Sequence, residues 1–292
     1  MTRQNRAYLS GLAAVLCWST VATAFKLSLA WLTPAQLLLF ASLSSCVVLG
    51  SILVLQGKAG QLRQLNVGAL RTSLVFGALN PALYYLILFQ AYDRLPAQEA
   101  QIINYTWAIT MALLAVPLLK QPLRRQDIAA AILCYFGVVV IASHGNLLDI
   151  HFSDPLGVIL ALISTLIWAL YWIFSTRDLR EPVPGLFLNF LCALPLILGW
   201  CLFTGELENI RWQGVWGAVY VGVFEMGLTF VLWLNAMKLT ESTARISNLI
   251  FISPLLSLAF IGLVLDEPIL GSTLWGLGLI VGGLLVQQTG KP

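Results

Sequence analysis

The chain has 292 residues, of which 59% are hydrophobic and only 10% charged, with a formal net charge of +3. A soluble domain of this length needs far more charged surface, so lipid is the solvent these side chains require. The small, scattered positive charge is not a nucleic-acid footprint, and no nucleic-acid partner is expected.

Hydrophobic runs fall at about 7–25, 34–56, 72–91, 98–119, 128–144, 155–175, 184–204, 213–237, 244–265 and 271–288. Each is near the ~20 residues that a helix needs to cross the hydrocarbon core. The fold class expected is therefore all-α and integral to the membrane, with ten spans and short connections. Arg3 and Arg6 precede the first run, and Ala22-Thr23-Ala24 imitates a signal-peptide cleavage site. The run is long for a signal core, so it is taken as an uncleaved first helix. With a cytoplasmic N-terminus, thirteen of the 16 Lys and Arg residues fall on the cytoplasmic side, leaving Lys26, Arg94 and Arg211 on the other. That bias predicts both termini inside, because cationic loops resist translocation.

Polar and aromatic residues deep in the spans are the candidate substrate contacts. Trp18 lies in the middle of the first span, and Asn80 and Tyr84 are i, i+4 in the third. In the fourth, Gln101, Asn104 and Ala108 are expected to line one helical face, flanked by Tyr105 and Trp107. Ser164, Trp168, Tyr171 and Ser175 form a stripe in the sixth. Glu225 is the one charged residue at a span centre; Thr229 and Trp233 follow it at i+4 and i+8. A carboxylate at mid-bilayer costs at least ~2.5 kcal/mol, so it faces a cavity or a partner. Either it meets a substrate ammonium or a proton, or it is a protonated hydrogen-bond donor to a neighbouring helix. Glu99 and Arg245 lie near span ends, within reach of water. Asn248 is about one turn into the ninth span, and Pro254, nearest a span centre, is the best hinge candidate among the span prolines. Gly278 and Gly282 form a G-x-x-x-G in the last span, with Gly283 adjacent, a motif that brings helix backbones together. Tryptophan and tyrosine gather at membrane interfaces as a rule. Several of them deep inside different spans point to a wide, mostly apolar cavity with a few polar groups.

The chain also repeats itself. Ala91, Leu95, Asn104, Gln121-Pro122 and Gly137 correspond to Ala236, Leu239, Asn248, Glu267-Pro268 and Gly283, at offsets of 144 to 146 residues. Five spans per copy is odd, so the second copy enters from the opposite side. The expected organisation is a first five-helix repeat at 1–150 and a second, inverted one at 151–292, an arrangement common in secondary transporters. Cys17, Cys46, Cys134, Cys192 and Cys201 all lie in hydrophobic stretches and are read as small packing residues. His144 and His151 share one loop and are read as solvated; no metal ligand set and no cofactor is expected.

At Gly11–Thr20 (GLAAVLCWST), Asn104-Tyr105-Thr106-Trp107 and Ile167-Trp168-Ala169-Leu170-Tyr171, the sequence resembles the drug/metabolite transporter superfamily. The likeness is to its ten-helix exporters with two EamA repeats, and within them to the YddG-type aromatic amino-acid exporters. It covers nearly the whole chain. It departs from them at Ala108, where the related motif commonly has proline, so the fourth helix is expected to bend less; Gln121-Pro122 also stands where the second repeat keeps Glu267-Pro268. The resemblance implies ten helices around a central cavity in a bacterial inner membrane, exporting amino acids, aromatic ones above all, by alternating access. Partners are then the small-molecule substrate and the lipid bilayer; a monomer is compatible with this, and the oligomeric state is left open. A drug or other metabolite exporter is the alternative. An intramembrane enzyme would need a constellation such as H-E-x-x-H, G-x-S-x-G or paired mid-membrane carboxylates, and none is present. No phosphate loop for direct ATP drive is present either.

The orientation has a direct test. A cysteine placed at Asp149 should react with an impermeant maleimide on intact cells, and one at Arg124 should not; the reverse pattern would overturn the cytoplasmic assignment of both termini.

Overall fold

The computed structural model describes residues 1–64, 66–120, 122–123, 125–147, 154–175, 177–240 and 248–288, with side chains left aside at 63, 64, 238, 248, 251 and 288. Gln121, His151 and Arg245 lie outside the described residues. The helices are α1 (Arg3–Leu29), α2 (Pro34–Leu55), α3 (Val67–Gly77), α4 (Tyr84–Arg94), α5 (Ala97–Asn104), α6 (Trp107–Leu119), α7 (Arg125–Ala142), α8 (Pro155–Ser175), α9 (Pro182–Phe203), α10 (Trp212–Tyr220), α11 (Thr229–Leu239), α12 (Ile252–Val264) and α13 (Gly271–Gln288). No strand occurs among the described residues. Eight segments are long and apolar enough to cross a membrane, three of them being α3–α4, α5–α6 and α10–α11 taken together, and two shorter apolar helices follow them. The ten apolar runs of the sequence are these segments.

Local chemistry sets several helix starts. Thr33 and Gln36 form a reciprocal capping box at α2, with Pro34 in its first turn. The Asn66 side chain accepts the Ala69 N–H at 2.7 Å to start α3. Asp154 does the same for α8 through the Gly157 N–H at 2.7 Å, and Arg94 lies 3.3 Å from its other oxygen. That amide first, and Arg94 after it, hold the Asp154 carboxyl below its ordinary range.

Two spans are not continuous α-helix. α3 and α4 are joined by a π-helical segment, Ala78–Leu83, in which Asn80 is extended (φ −146°, ψ 116°). α10 and α11 are joined by another, Val221–Leu228. Two further spans are interrupted: the fourth at Tyr105–Thr106, and the ninth by the 3₁₀ turn Asn248–Phe251. The two π segments begin 143 residues apart, and the turn at Asn248 follows Tyr105 by the same interval. Irregular backbone therefore recurs at nearly the spacing of the sequence repeat. The fourth span is interrupted although Ala108 replaces the usual proline. Pro254 sits in the first turn of α12, and the irregularity there precedes it.

The chain forms two compact units, and neither is a sequence half. Unit 1 comprises Met1–Phe89 and Leu179–Leu265; unit 2 comprises Gln90–Asp178 and Asp266–Pro292. In unit 1, α1 packs against α10, α11 and α12, and α2 against α9 and the second π segment. The Thr20 hydroxyl meets the Tyr220 hydroxyl at 2.7 Å, a polar tie between α1 and α10. In unit 2, α7 lies along α13 and α6 against α8.

The α7–α13 seam corrects the glycine expectation. A Cβ on Gly278 or Gly282 would meet nothing within 4 Å. One on Gly283 would stand 2.6 Å from the Cys134 sulfur, and one on Gly137 would stand 2.8 Å from the Gly276 carbonyl oxygen. The close approach thus uses Gly137, Gly276 and Gly283, and the G-x-x-x-G pair faces elsewhere. Gly276→Ala and Gly283→Ala should each lower stability by about 1–3 kcal/mol, the usual effect of overfilling a packed contact. Gly278→Ala and Gly282→Ala should be tolerated. Thermal unfolding of the purified variants in one detergent checks the contrast.

Candidate substrate site

The candidate residues fall into two sets, one within each unit.

In unit 1 the focus is Glu225, inside the π segment and buried. The Tyr85 hydroxyl donates to its Oε1 at 2.9 Å. The Trp18 indole also bears on this carboxyl, and Oε2 is buried with no hydrogen-bond partner among the described residues. Trp18 packs on Trp233 with ring centroids 5.1 Å apart. Tyr85 in turn touches Tyr84 at 4.7 Å and Phe89 at 5.4 Å. The carboxyl therefore sits in an aromatic wall built from α1, α4 and α11, with one oxygen held and the other uncommitted. Asn80 is 1% exposed, and neither its amide nitrogen nor its oxygen has a hydrogen-bond partner among the described residues. A buried polar side chain left this way is costly, which marks it as a candidate contact for a polar ligand.

Two expectations change here. Asn80 and Tyr84 do not share a face of one continuous α-helix, because the π segment and the extended Asn80 intervene. Thr229 is fully buried, but its hydroxyl donates to the Phe224 carbonyl inside the π turn, so it closes backbone and does not line a wall. Asn248 opens the 3₁₀ turn; its side chain lies outside the description.

In unit 2, α5 ends at Asn104 and α6 begins at Trp107, so Gln101, Asn104 and Ala108 do not form one α-helical stripe. The Asn104 amide donates to the Ser164 hydroxyl at 2.9 Å, and Ser164 donates to the Ala161 carbonyl at 2.6 Å. Trp107 and Trp168 meet edge to face at 6.5 Å, and Trp168 stacks with Tyr171 at 6.0 Å. Gln101 is buried in α5, and Tyr105 stands at the break. Ser175 donates its hydroxyl to the Tyr171 carbonyl at 2.7 Å. Asn104, Trp107, Ser164, Trp168 and Tyr171 are thus linked in a polar–aromatic chain across α5, α6 and α8.

Sequence reasoning passed over Tyr85, Trp172 and Thr110. Tyr85 stands beside Tyr84, and helical period alone gives no reason to choose between neighbours. The Trp172 indole nitrogen is buried without a hydrogen-bond partner among the described residues. Thr110 meets Tyr135 at 3.0 Å and Thr165 at 3.1 Å. Glu99 is a correction as well. Glu99 does not reach water: it is 1% exposed, and its Oε1 lies 2.7 Å from His144 Nε2. No group of three or more His, Cys, Asp or Glu able to hold a metal ion occurs among the described residues. All five cysteines are free.

The model of the EamA-like transporter family matches residues 5–143 and again 155–287. The chain belongs to the EamA-like transporter family. Members of this family are multi-pass membrane transporters of small molecules, and the chain is one too. It is 26% identical to the protein PecM of Dickeya dadantii over 268 residues, 87% of this chain and 84% of that one. It is 26% identical to the aromatic amino acid exporter YddG of Ancylobacter novellus over 299 residues, 97% of each chain. A protein crystal structure shares the fold with a TM-score of 0.66 at 23% identity, covering 97% of this chain and 96% of the other.

The Tyr85–Glu225 bond predicts a measurable cost. Tyr85→Phe keeps the ring contacts and removes the hydrogen bond that the Tyr85 hydroxyl gives to Glu225. Stability should fall by about 1–3 kcal/mol, the penalty for an orphaned buried group. An unchanged unfolding temperature for the purified variant would show that the carboxyl is satisfied without Tyr85.

Proposed function

We propose that this EamA-family transporter exports amino acids, aromatic ones above all, across the bacterial inner membrane, with both termini cytoplasmic. One observation carries the reading: Glu225 is a buried carboxyl in irregular backbone, pinned on one oxygen by Tyr85, open on the other, and flanked by Trp18 and Trp233. An α-ammonium group is the natural partner for the open oxygen, and an aromatic side chain for the rings. Asn80 supplies a further polar contact, with Tyr84 beside it. The names of the YddG relatives support the same substrate class. In unit 2, Trp107, Trp168 and Tyr171 form a second aromatic surface, with Gln101, Asn104, Tyr105 and Ser164 as its polar part. Alternating access fits halves at 1–150 and 151–292 running in opposite directions, which the matched spacing of irregular segments supports.

Flux of labelled tryptophan or phenylalanine into proteoliposomes tests the reading. Glu225→Gln should weaken transport about 10- to 100-fold, the loss typical of a charge-assisted contact worth about 1.5–3 kcal/mol, while the protein stays folded. Trp168→Ala and Tyr84→Ala should impair the flux of large substrates more than they lower the unfolding temperature. Wild-type flux in the Glu225 variant would remove the carboxyl from substrate recognition.

A further inference from the structure

Outside the Glu225 region, unit 2 holds a second, partly buried ionisable cluster that transport of a zwitterion does not require. It lies at the first turn of α5. Glu99 is there, 1% exposed, with Oε1 on His144 Nε2 and with Oε2 buried and lacking a hydrogen-bond partner among the described residues. His144 stands just past the end of α7 in the left-handed backbone region (φ 51°), and its side chain is 44% exposed. Glu267, ahead of α13, accepts the Ala97 N–H on Oε1 at 3.1 Å, and its Oε2 is likewise buried and lacks a hydrogen-bond partner among the described residues. The Glu99 and Glu267 carboxyls are near enough to act on each other.

The same joint is stitched by Gln98. Its amide nitrogen donates to the Pro268 carbonyl at 3.0 Å, and its oxygen accepts from the Leu270 N–H at 3.2 Å and the Thr273 hydroxyl at 2.8 Å. The start of α5 is therefore fastened to the segment leading into α13 by neutral bonds and, next to them, by charged groups.

The other charged groups on the surrounding elements, among the described residues, do not neutralise this cluster. Asp154, ahead of α8, is held by Arg94 and the Gly157 amide. Asp266 is exposed. Arg125 and Asp127 sit at the opposite end of α7. α8 and α13 carry no charged residue.

A buried carboxyl bonded to an imidazole, with the half-buried Glu267 carboxyl acting on it, makes a natural place for a proton. With the ring protonated, its charge offsets part of the carboxylate repulsion, and the joint is held. With the ring neutral, two carboxylate charges share a partly desolvated site, where repulsion is less screened than in water. His144 faces solvent on one side, so the proton can exchange.

We propose that Glu99, His144 and Glu267 form a proton-binding site that fastens the start of α5 to the α13 segment when protonated and loosens it as the pH rises. The site is separate from Glu225, so its action is on the pH response of transport, not on substrate recognition.

The test uses the full-length protein and two readouts. The first needs no substrate: the unfolding temperature between about pH 5 and 8, the window in which histidine ordinarily titrates. Wild type should lose stability as the pH rises through this window, and Glu99→Gln, His144→Gln and Glu267→Gln should each flatten that loss. The second is tryptophan flux into proteoliposomes at equal pH on both sides. Wild-type flux should change across the window, and the three variants should retain flux with a flat profile. Flattened stability profiles without any tryptophan flux, even in wild type, would uphold the proton site and reject the amino-acid reading. A flat wild-type stability profile, or variants that keep the wild-type slope, would overturn the proposal.

Discussion

Hydrocarbon offers no water to an exposed backbone group, so wherever a spanning helix departs from α geometry the protein must supply the missing partner. The second π segment meets this demand locally. The Thr229 hydroxyl takes up the Phe224 carbonyl, and Ser45 reaches from α2 to the Met226 carbonyl at 3.1 Å. Glycine makes room for that reach: a Cβ on Gly222 would collide with α2 at Ala41 and would lie 2.6 Å from the Ser44 Cβ. The first π segment is preceded by Gly77, against which the Asn189 backbone of α9 rests. At the break in the fourth span, the Thr106 hydroxyl donates to the Ile103 carbonyl at 2.8 Å and Thr110 to the Thr106 carbonyl at 3.2 Å. Threonine, serine and glycine near the irregular turns are there for the backbone.

That requirement also decides which polar side chains remain open for a ligand. Thr229, Thr106 and Ser164 direct their hydroxyls at backbone carbonyls. Glu225 Oε2 and the Asn80 amide have no such commitment among the described residues. The π turns thus do two things at once: they absorb nearby hydroxyls, and they leave a carboxyl and an amide facing inward with unused bonding capacity. Irregular turns of this type concentrate at functional positions because regular helix leaves no backbone or side-chain geometry to spare.

The spans were legible from the sequence because the signal is hydropathy averaged over some twenty residues, and every run from the first to the last has its helix. The breaks were not. Val221–Leu228 contains no proline, and in the fourth span Ala108 replaces one, yet both depart from continuous α-helix. The glycine seam was misplaced because G-x-x-x-G is a statement about one helix, whereas the partner α7 chose the face carrying Gly276 and Gly283. Glu225 stood out as the lone carboxyl of a span centre. Its partner Tyr85 lies 140 residues away in sequence, and His144 is 45 residues from Glu99; no periodicity links such pairs. Trp18, Trp168 and Tyr171 were visible as aromatics too deep for an interface, but their ring partners were not.

The interleaving of the first unit has a consequence for how the chain is made. Tyr85 belongs to a segment that enters the membrane long before Glu225 exists. At synthesis rates of about 5–20 residues per second, the 140 residues between them take about 7 to 28 seconds to appear. During that interval the Tyr85 hydroxyl awaits Glu225, and Gly77, just before the first π segment, awaits the Asn189 backbone of α9, whose residues begin at Pro182. A nascent chain at this stage holds bare polar groups in lipid, a condition that favours attachment to the insertion machinery until the later helices arrive.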